Sequence, residues 1–222
     1  MESSKQISAD LKSVLLEKHL NFELLNTYKG VPFICKAVLQ EVDAGVAHFG
    51  LAPASPFAWE TVDNTLILSE GLLEPIEARV LTFDREAGTL RVSDFVYAGS
   101  KLSNRKELRV EPEGAVEITL EADGQPKTAY LVDLSMRGAG LRLAGDLSPA
   151  FGQGKTLDLL LRLAEGEVGL SGKIRNVSRA ADTSRLSVEF VGAAPDKIPI
   201  VRYIMRRRAE IIVEMQQMAM RE

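Results

Sequence analysis

An arginine pair, Arg105-Lys106-Glu107-Leu108-Arg109, is followed after 23 intervening residues by Asp133-Leu134-Ser135-Met136-Arg137-Gly138, an Asp-x-Ser-x-x-Gly turn between two apolar runs. A guanidinium is a planar fork of N–H donors that bonds anionic oxygens bidentately and stacks on flat rings, whereas a carboxylate only accepts. Two forks facing a carboxylate and a hydroxyl can therefore grip a ligand that offers acceptors on one edge and donors on another. The arginine spacing alone says little, because it recurs at Arg175 with Arg179 and at Arg202 with Arg206. Only the first pair is followed by the acidic turn. Taken singly, Arg105 and Arg109 also read as solvated charges pairing with Glu107, Glu111 or Glu113. Asp133 and Ser135 also read as a turn closed by side-chain to backbone hydrogen bonds.

Other chemistries find no support. His19 and His48 are the only histidines, and neither has acidic or cysteine neighbours at metal-ligand spacing, so no metal or other cofactor is expected. No Gly-x-Ser-x-Gly elbow is present, and an enzyme is not expected. Gly152-Gln153-Gly154-Lys155-Thr156 imitates the end of a phosphate loop, but Pro149 stands at the required first glycine. The alternating 157–163 run that follows reads as a strand rather than a helix. Cys35 lies in the apolar run Val31-Pro32-Phe33-Ile34-Cys35 and reads as a small core residue in a reducing compartment. Arg206-Arg207-Arg208 reads as a solvated helix face, with Arg206 and Glu210 forming an i,i+4 pair.

The chain has 222 residues, 45% hydrophobic and 26% charged, which excludes disorder and fibre. Residues 1–98 carry 8 basic and 14 acidic side chains, a balance of −6, against 19 and 17 beyond, a balance of +2. Neither half has the charge of a nonspecific nucleic-acid binder, and aromatics at 6% do not interleave with a basic stripe. No run reaches the length of a membrane span and no leader pattern opens the chain, so a cytoplasmic protein without membrane insertion is expected.

The patterning predicts a mainly β protein, two small β-barrel domains in tandem with an N-terminal helix and a long C-terminal helix. A first helix starts near Ser8 or Asp10, carries Leu11, Val14, Leu15, Lys18 and His19 at helical spacing, and ends near Asn21. Strand-like runs follow at 33–42, 45–51, 65–68, 76–83 and 89–97. Residues 1–99 form a first β-rich domain, 100–104 a polar linker, and 105–222 a second domain. In the second, Val116, Ile118 and Leu120 alternate, as do Leu157 to Leu163 and Leu186, Val188 and Phe190. Glycines including 138, 140, 145, 154 and 172 punctuate these runs as turns. Asp196 caps a final helix with an apolar stripe of Ile200, Val201, Ile204, Met205, Ile211, Ile212, Met215 and Met218. Part of that stripe is free to meet a second copy, a homodimer through the C-terminal helix.

The arginine pair, the spacing and the Asp-x-Ser-x-x-Gly turn together resemble the PilZ family, over about residues 103–195. The barrel-then-helix order agrees with the family's six-stranded barrel, and the tandem layout is similar to two-domain proteins of the flagellar-brake type. The resemblance implies a receptor for cyclic di-GMP. Binding would change the angle between the domains to control a protein partner in motility, biofilm formation or virulence. Its residue roles carry over to Arg105 and Arg109 on the guanine Hoogsteen edge or phosphates, Asp133 on the guanine N1–H and N2–H₂ edge, and Ser135 on base or phosphate. Gly138 and Gly140 would lie where a β-carbon would collide. Asn104 departs from the pattern, since many members carry a further arginine there. A scaffold that acts only as a protein-interaction module is the alternative reading.

Overall fold

The computed structural model describes residues 2–16, 21–52, 57–72, 74–98, 108–145, 147–180, 182–192 and 197–220. They form two compact units, Met1–Lys106 together with Ile211–Glu222, and Glu107–Glu210. Each unit contains a closed, six-stranded, antiparallel barrel, as the patterning predicts.

The first barrel is built from β1 (Phe22–Tyr28), β2 (Val31–Asp43), β3 (Val46–Leu51), β4 (Asn64–Leu68), β5 (Ile76–Asp84) and β6 (Thr89–Tyr97). Strand β2 shows why a sheet forms. From Val31 to Leu39 every odd residue is buried and every even one exposed, a period of two that only a pleated strand can satisfy. Cys35 is among the inward residues, 2% exposed. Helix α1 (Glu2–Leu16) packs against β6 and β2 through Ile7 and Leu11, one turn apart, and Tyr97 donates to Asp10 Oδ2 at 2.5 Å. The helix is described as far as Leu16, and β1, a strand the patterning does not suggest, begins at Phe22. Leu24-Leu25 interrupts its alternation, and only pairing with β2 and β4 makes it a strand. Lys18, His19 and the 53–56 turn lie outside the described residues.

The second barrel comprises β7 (Glu117–Ala122), β8 (Gln125–Ser135), β9 (Gly138–Ala144), β10 (Thr156–Leu163), β11 (Gly166–Ala180) and β12 (Thr183–Val191). Leu157, Leu159, Leu161 and Leu163 point inward, each contributing at most about 1.5–3 kcal/mol through burial. The Gly152-Gln153-Gly154 segment is a turn leading into β10, with Gly154 N–H donating to Ile174 O at 2.8 Å. Three of the supposed turn glycines, Gly138, Gly140 and Gly172, instead lie within strands. Close contacts explain them: a β-carbon on Gly172 would stand 2.4 Å from Val188 Cγ1.

Helix α2 (Ile198–Met220) begins on the second unit. Its expected stripe divides: Ile200 and Ile204 are buried there, whereas Val201 and Met205 are exposed. The basic run is a solvated face at Arg206 and Arg208 but not at Arg207. Arg207 is 1% exposed and donates from Nε to Glu111 O at 2.9 Å, and Arg206 bonds Glu165 and Glu210 at 2.5 Å each. A long, donor-rich side chain suits the buried position, because its head can reach a backbone carbonyl from there. The Arg206–Glu210 pair is the expected one. Asp196 lies outside the described residues, and no described helix is long and apolar enough to cross a membrane.

Candidate functional site

Asp133 lies near the end of β8, directly after a bulge in its pairing with β9. Leu131 pairs with Leu141 and Asp133 with Gly140, leaving Val132 as the extra residue. Such a bulge re-aims the side chains beside it. The Asp133 carboxylate lies over Gly140, where a β-carbon would come within 2.6 Å of Oδ2 and 2.9 Å of Cγ. Gly140 is thus the seat of the carboxylate, and any larger residue would compete for the space.

Arg109 is held near it by its successor. Val110 and Leu134 exchange two backbone hydrogen bonds of 3.0 Å, an isolated antiparallel bridge that docks the segment before the barrel onto β8. This brings Arg109 Nη1 to 2.6 Å from Asp133 Oδ1. The arginine and the acidic turn, 24 positions apart, therefore meet in space, within one unit. Arg105 and Asn104 lie outside the described residues.

Ser135 and Gly138 take different places. Ser135 is 2% exposed, and its hydroxyl donates to Gly138 O at 3.2 Å while accepting weakly from Arg137 N–H at 3.4 Å. It closes the two-residue turn between β8 and β9. Gly138 is pressed against β12: a β-carbon would sit 2.3 Å from Val188 O.

Arg185, which the motif does not contain, joins this cluster. It projects outward from β12 and places Nη2 3.1 Å from Asp133 Oδ2, opposite Arg109. The alternation carries a signal for it: if Leu186 and Val188 face the core, Arg185 and Ser187 face out, and Ser187 is the β12 partner of Gly140. Arg142 adjoins Arg185 across β9, and Tyr130 adjoins Arg142 across β8. The outer face of β8, β9 and β12 thus presents a half-sunken carboxylate, 14% exposed, between guanidinium groups 47% and 55% exposed, with a further exposed arginine and tyrosine alongside. This surface can bind an anion through its arginines while Asp133 accepts from a donor edge.

The family described as PilZ domain matches residues 103–206, and that segment is a PilZ domain. No curated protein sequence matches the chain. Among solved structures, the chain is similar to K. pneumonia MrkH in complex with c-di-GMP, at 15% identity and TM-score 0.46, over 98% of this chain and 97% of that one. It is also similar to the Bacillus subtilis inhibitor of motility MotI/DgrA, at 14% identity and TM-score 0.43, over 86% and 96%. Escherichia coli YcgR in complex with c-di-GMP gives 17% identity and TM-score 0.43, over 96% and 93%.

Proposed function

We propose that the protein is a receptor for cyclic di-GMP that works by ligand binding rather than catalysis. The observation that carries this reading is the meeting of Arg109 with Asp133 at 2.6 Å on the outer face of a PilZ-domain barrel. The ligand has two phosphodiesters and two guanines. Arg109 and the neighbouring Arg142 supply positive charge for the phosphodiesters, while Arg185 offsets the Asp133 carboxylate. Arg109 also offers the bidentate fork that matches guanine O6 and N7, worth roughly 1–3 kcal/mol of discrimination. Asp133 takes the N1–H and N2–H₂ edge, which adenine lacks. Arg105, the other arginine of the motif, supplies a second guanidinium for a base or phosphate. Ser135 and Gly138 serve the site by shaping the turn that carries Asp133, and Gly140 by leaving room for its carboxylate.

Arg109 follows the boundary between the two units, at Lys106 and Glu107, by only a few residues. A ligand that engages this stretch and the barrel together restricts the hinge, and the altered orientation exposes or hides a surface for a protein partner. The downstream output then belongs to motility, biofilm formation or virulence. Calorimetry on the full chain tests the first step. Micromolar or tighter binding of cyclic di-GMP, weakened at least about tenfold in Arg109→Ala, is the expected result. Millimolar binding, or an Arg109→Ala protein indistinguishable from the parent, overturns it and leaves the protein-interaction scaffold as the surviving reading. Small-angle scattering with and without ligand tests the second step, where an unchanged profile rejects the hinge.

A further inference from the structure

We infer that Arg185 is a positioning residue, which holds the Asp133 carboxylate in the orientation that reads a guanine edge and so sets the preference for bases carrying a 2-amino group. The inference rests on the proposed role of Asp133 as guanine acceptor.

Reading N1–H and N2–H₂ together requires both carboxylate oxygens to lie side by side in the plane of the base. The terminal torsion of an aspartate is broad, so an untethered carboxylate samples many planes. Here each oxygen has its own tether, Oδ1 to Arg109 at 2.6 Å and Oδ2 to Arg185 at 3.1 Å. The two tethers are anchored differently. Arg185 lies within β12 and is paired on both sides, to Ser178 of β11 and Arg142 of β9. Arg109 precedes the barrel, and among the described residues its backbone is docked through the neighbouring bridge at Val110 rather than by strand pairing of its own. Cyclic di-GMP that recruits Arg109 to its base or phosphate draws away the Oδ1 tether. Arg185 then remains as the contact that keeps the carboxylate plane, while Gly140 beneath, with no side chain, cannot take over that role.

The test compares cyclic di-GMP with cyclic di-IMP, whose hypoxanthine keeps N1–H and lacks the 2-amino group, on full-length protein by calorimetry. The parent is expected to prefer cyclic di-GMP by about tenfold or more, the loss of one hydrogen bond to a charged acceptor. Arg185→Met is expected to reduce this preference to about threefold or less by weakening cyclic di-GMP alone, leaving cyclic di-IMP within about twofold. Arg185→Lys restores part of it, and Asp133→Asn with Arg185→Met is no worse than Asp133→Asn alone, because the two residues act as one unit. Thermal melts of the variants should match the parent, since the Arg185 head is 55% exposed.

An equal loss for both ligands would mean that Arg185 touches the phosphates directly, and an unchanged ratio would mean that it orients nothing. Either result overturns the inference while cyclic di-GMP binding by the parent still stands. A parent that binds no cyclic di-GMP removes the proposed function and this inference with it.

Discussion

The two barrels follow one connectivity. In each, the hydrogen-bonded circuit runs from the first strand to the second, third, sixth, fifth and fourth, and closes on the first. The correspondence reaches single residues at the hairpin of the second and third strands. In β2 the bulge falls between Leu39 and Glu41, after which Glu41 pairs with His48 and Asp43 with Val46. In β8 it falls between Leu131 and Asp133, after which Asp133 pairs with Gly140 and Ser135 with Gly138. Both hairpins turn through two residues, yet Ala44 and Gly45 adopt left-handed φ of 46° and 82°, whereas Met136 and Arg137 do not and are held by the Ser135 hydroxyl instead. Topology therefore supplies a bulged hairpin with an outward carboxylate twice. Small residues opposite it, and arginines beside it, distinguish the one that can be a site. Glu41 is exposed, while Asp133 has sunk onto Gly140 between two cations.

The sharpest way to break this distinction is at Gly138. Its β-carbon would approach a backbone oxygen, Val188 O, which no rotamer change can move. Gly138→Ala should cost about 2–4 kcal/mol of stability in denaturant unfolding, through overpacking and backbone displacement. A cost near zero would mean that β9 and β12 separate easily and that the glycine is not needed for packing. Gly140→Ala should behave in the opposite sense. The obstructing atoms belong to the Asp133 side chain, which can swing away, so the fold survives while cyclic di-GMP affinity falls about thirtyfold, the scale of losing hydrogen bonds to a charged group. A Gly140→Ala protein that binds normally would show that the seat of the carboxylate is irrelevant.

The contrast between these glycines also marks how far the sequence can be read. Alternation in 33–42 and 157–163 is enough for strands, because a period of two leaves few options for half-buried chain. The family resemblance that the motif carries is what places Arg109 beside Asp133, as the structure has them, whereas the residues read singly leave Arg109 free to pair with Glu107, Glu111 or Glu113. Strand β1 is invisible because its identity comes from neighbours on both sides, not from its own pattern. Gly138, Gly140 and Gly172 look like punctuation because a glycine in a turn and a glycine under a crossing side chain are the same letter. Arg185 escapes notice because its partner is 52 positions away and two strands across the barrel, a separation that local spacing does not encode. Arg207 looks solvated for a related reason: the partner of its Nε, the Glu111 carbonyl, is 96 positions away.

A smaller contrast concerns the clasps on α2 in the two units. In the Glu107–Glu210 unit, burial pushes the Glu210 carboxyl up, but hydrogen bonds from Arg206 and Arg207 outweigh it and hold the group below the usual carboxylate range. A carboxyl lowered by folding contributes stability above its unfolded value, near 4.3, and loses it as pH falls through the folded one. Glu210→Gln should therefore flatten the acid limb of a stability profile below about pH 4.3. In the other unit, a hydrogen bond to Glu214 raises the Lys29 ammonium, against a smaller opposing effect of burial. That contribution is complete below the unfolded lysine value, about 10.4, and is lost as pH rises through the folded one, so Lys29→Met should flatten the alkaline limb. Both clasps are partly exposed, and each effect should be about 0.2–1 kcal/mol in denaturant melts across pH. Variants that leave the respective limbs unchanged would remove the clasps from the account of stability.

The smallest expected effect bears most directly on the twin hairpins. If bulge and outward carboxylate were sufficient, Glu41 and His48 would form a second nucleotide site, and their removal would change ligand affinity or stoichiometry. The cross-strand position that Gly140 leaves open is filled by His48, and the β6 partner of His48 is Arg91, where β12 presents Ser187 to Gly140. The space over the third strand is thus occupied in the first barrel and left to the Asp133 carboxylate in the second. Glu41→Ala and His48→Ala should each leave cyclic di-GMP affinity within about twofold and its stoichiometry unchanged, the behaviour of surface positions away from a site. A larger shift in either variant would mean that connectivity, and not the residues set upon it, determines where the ligand binds.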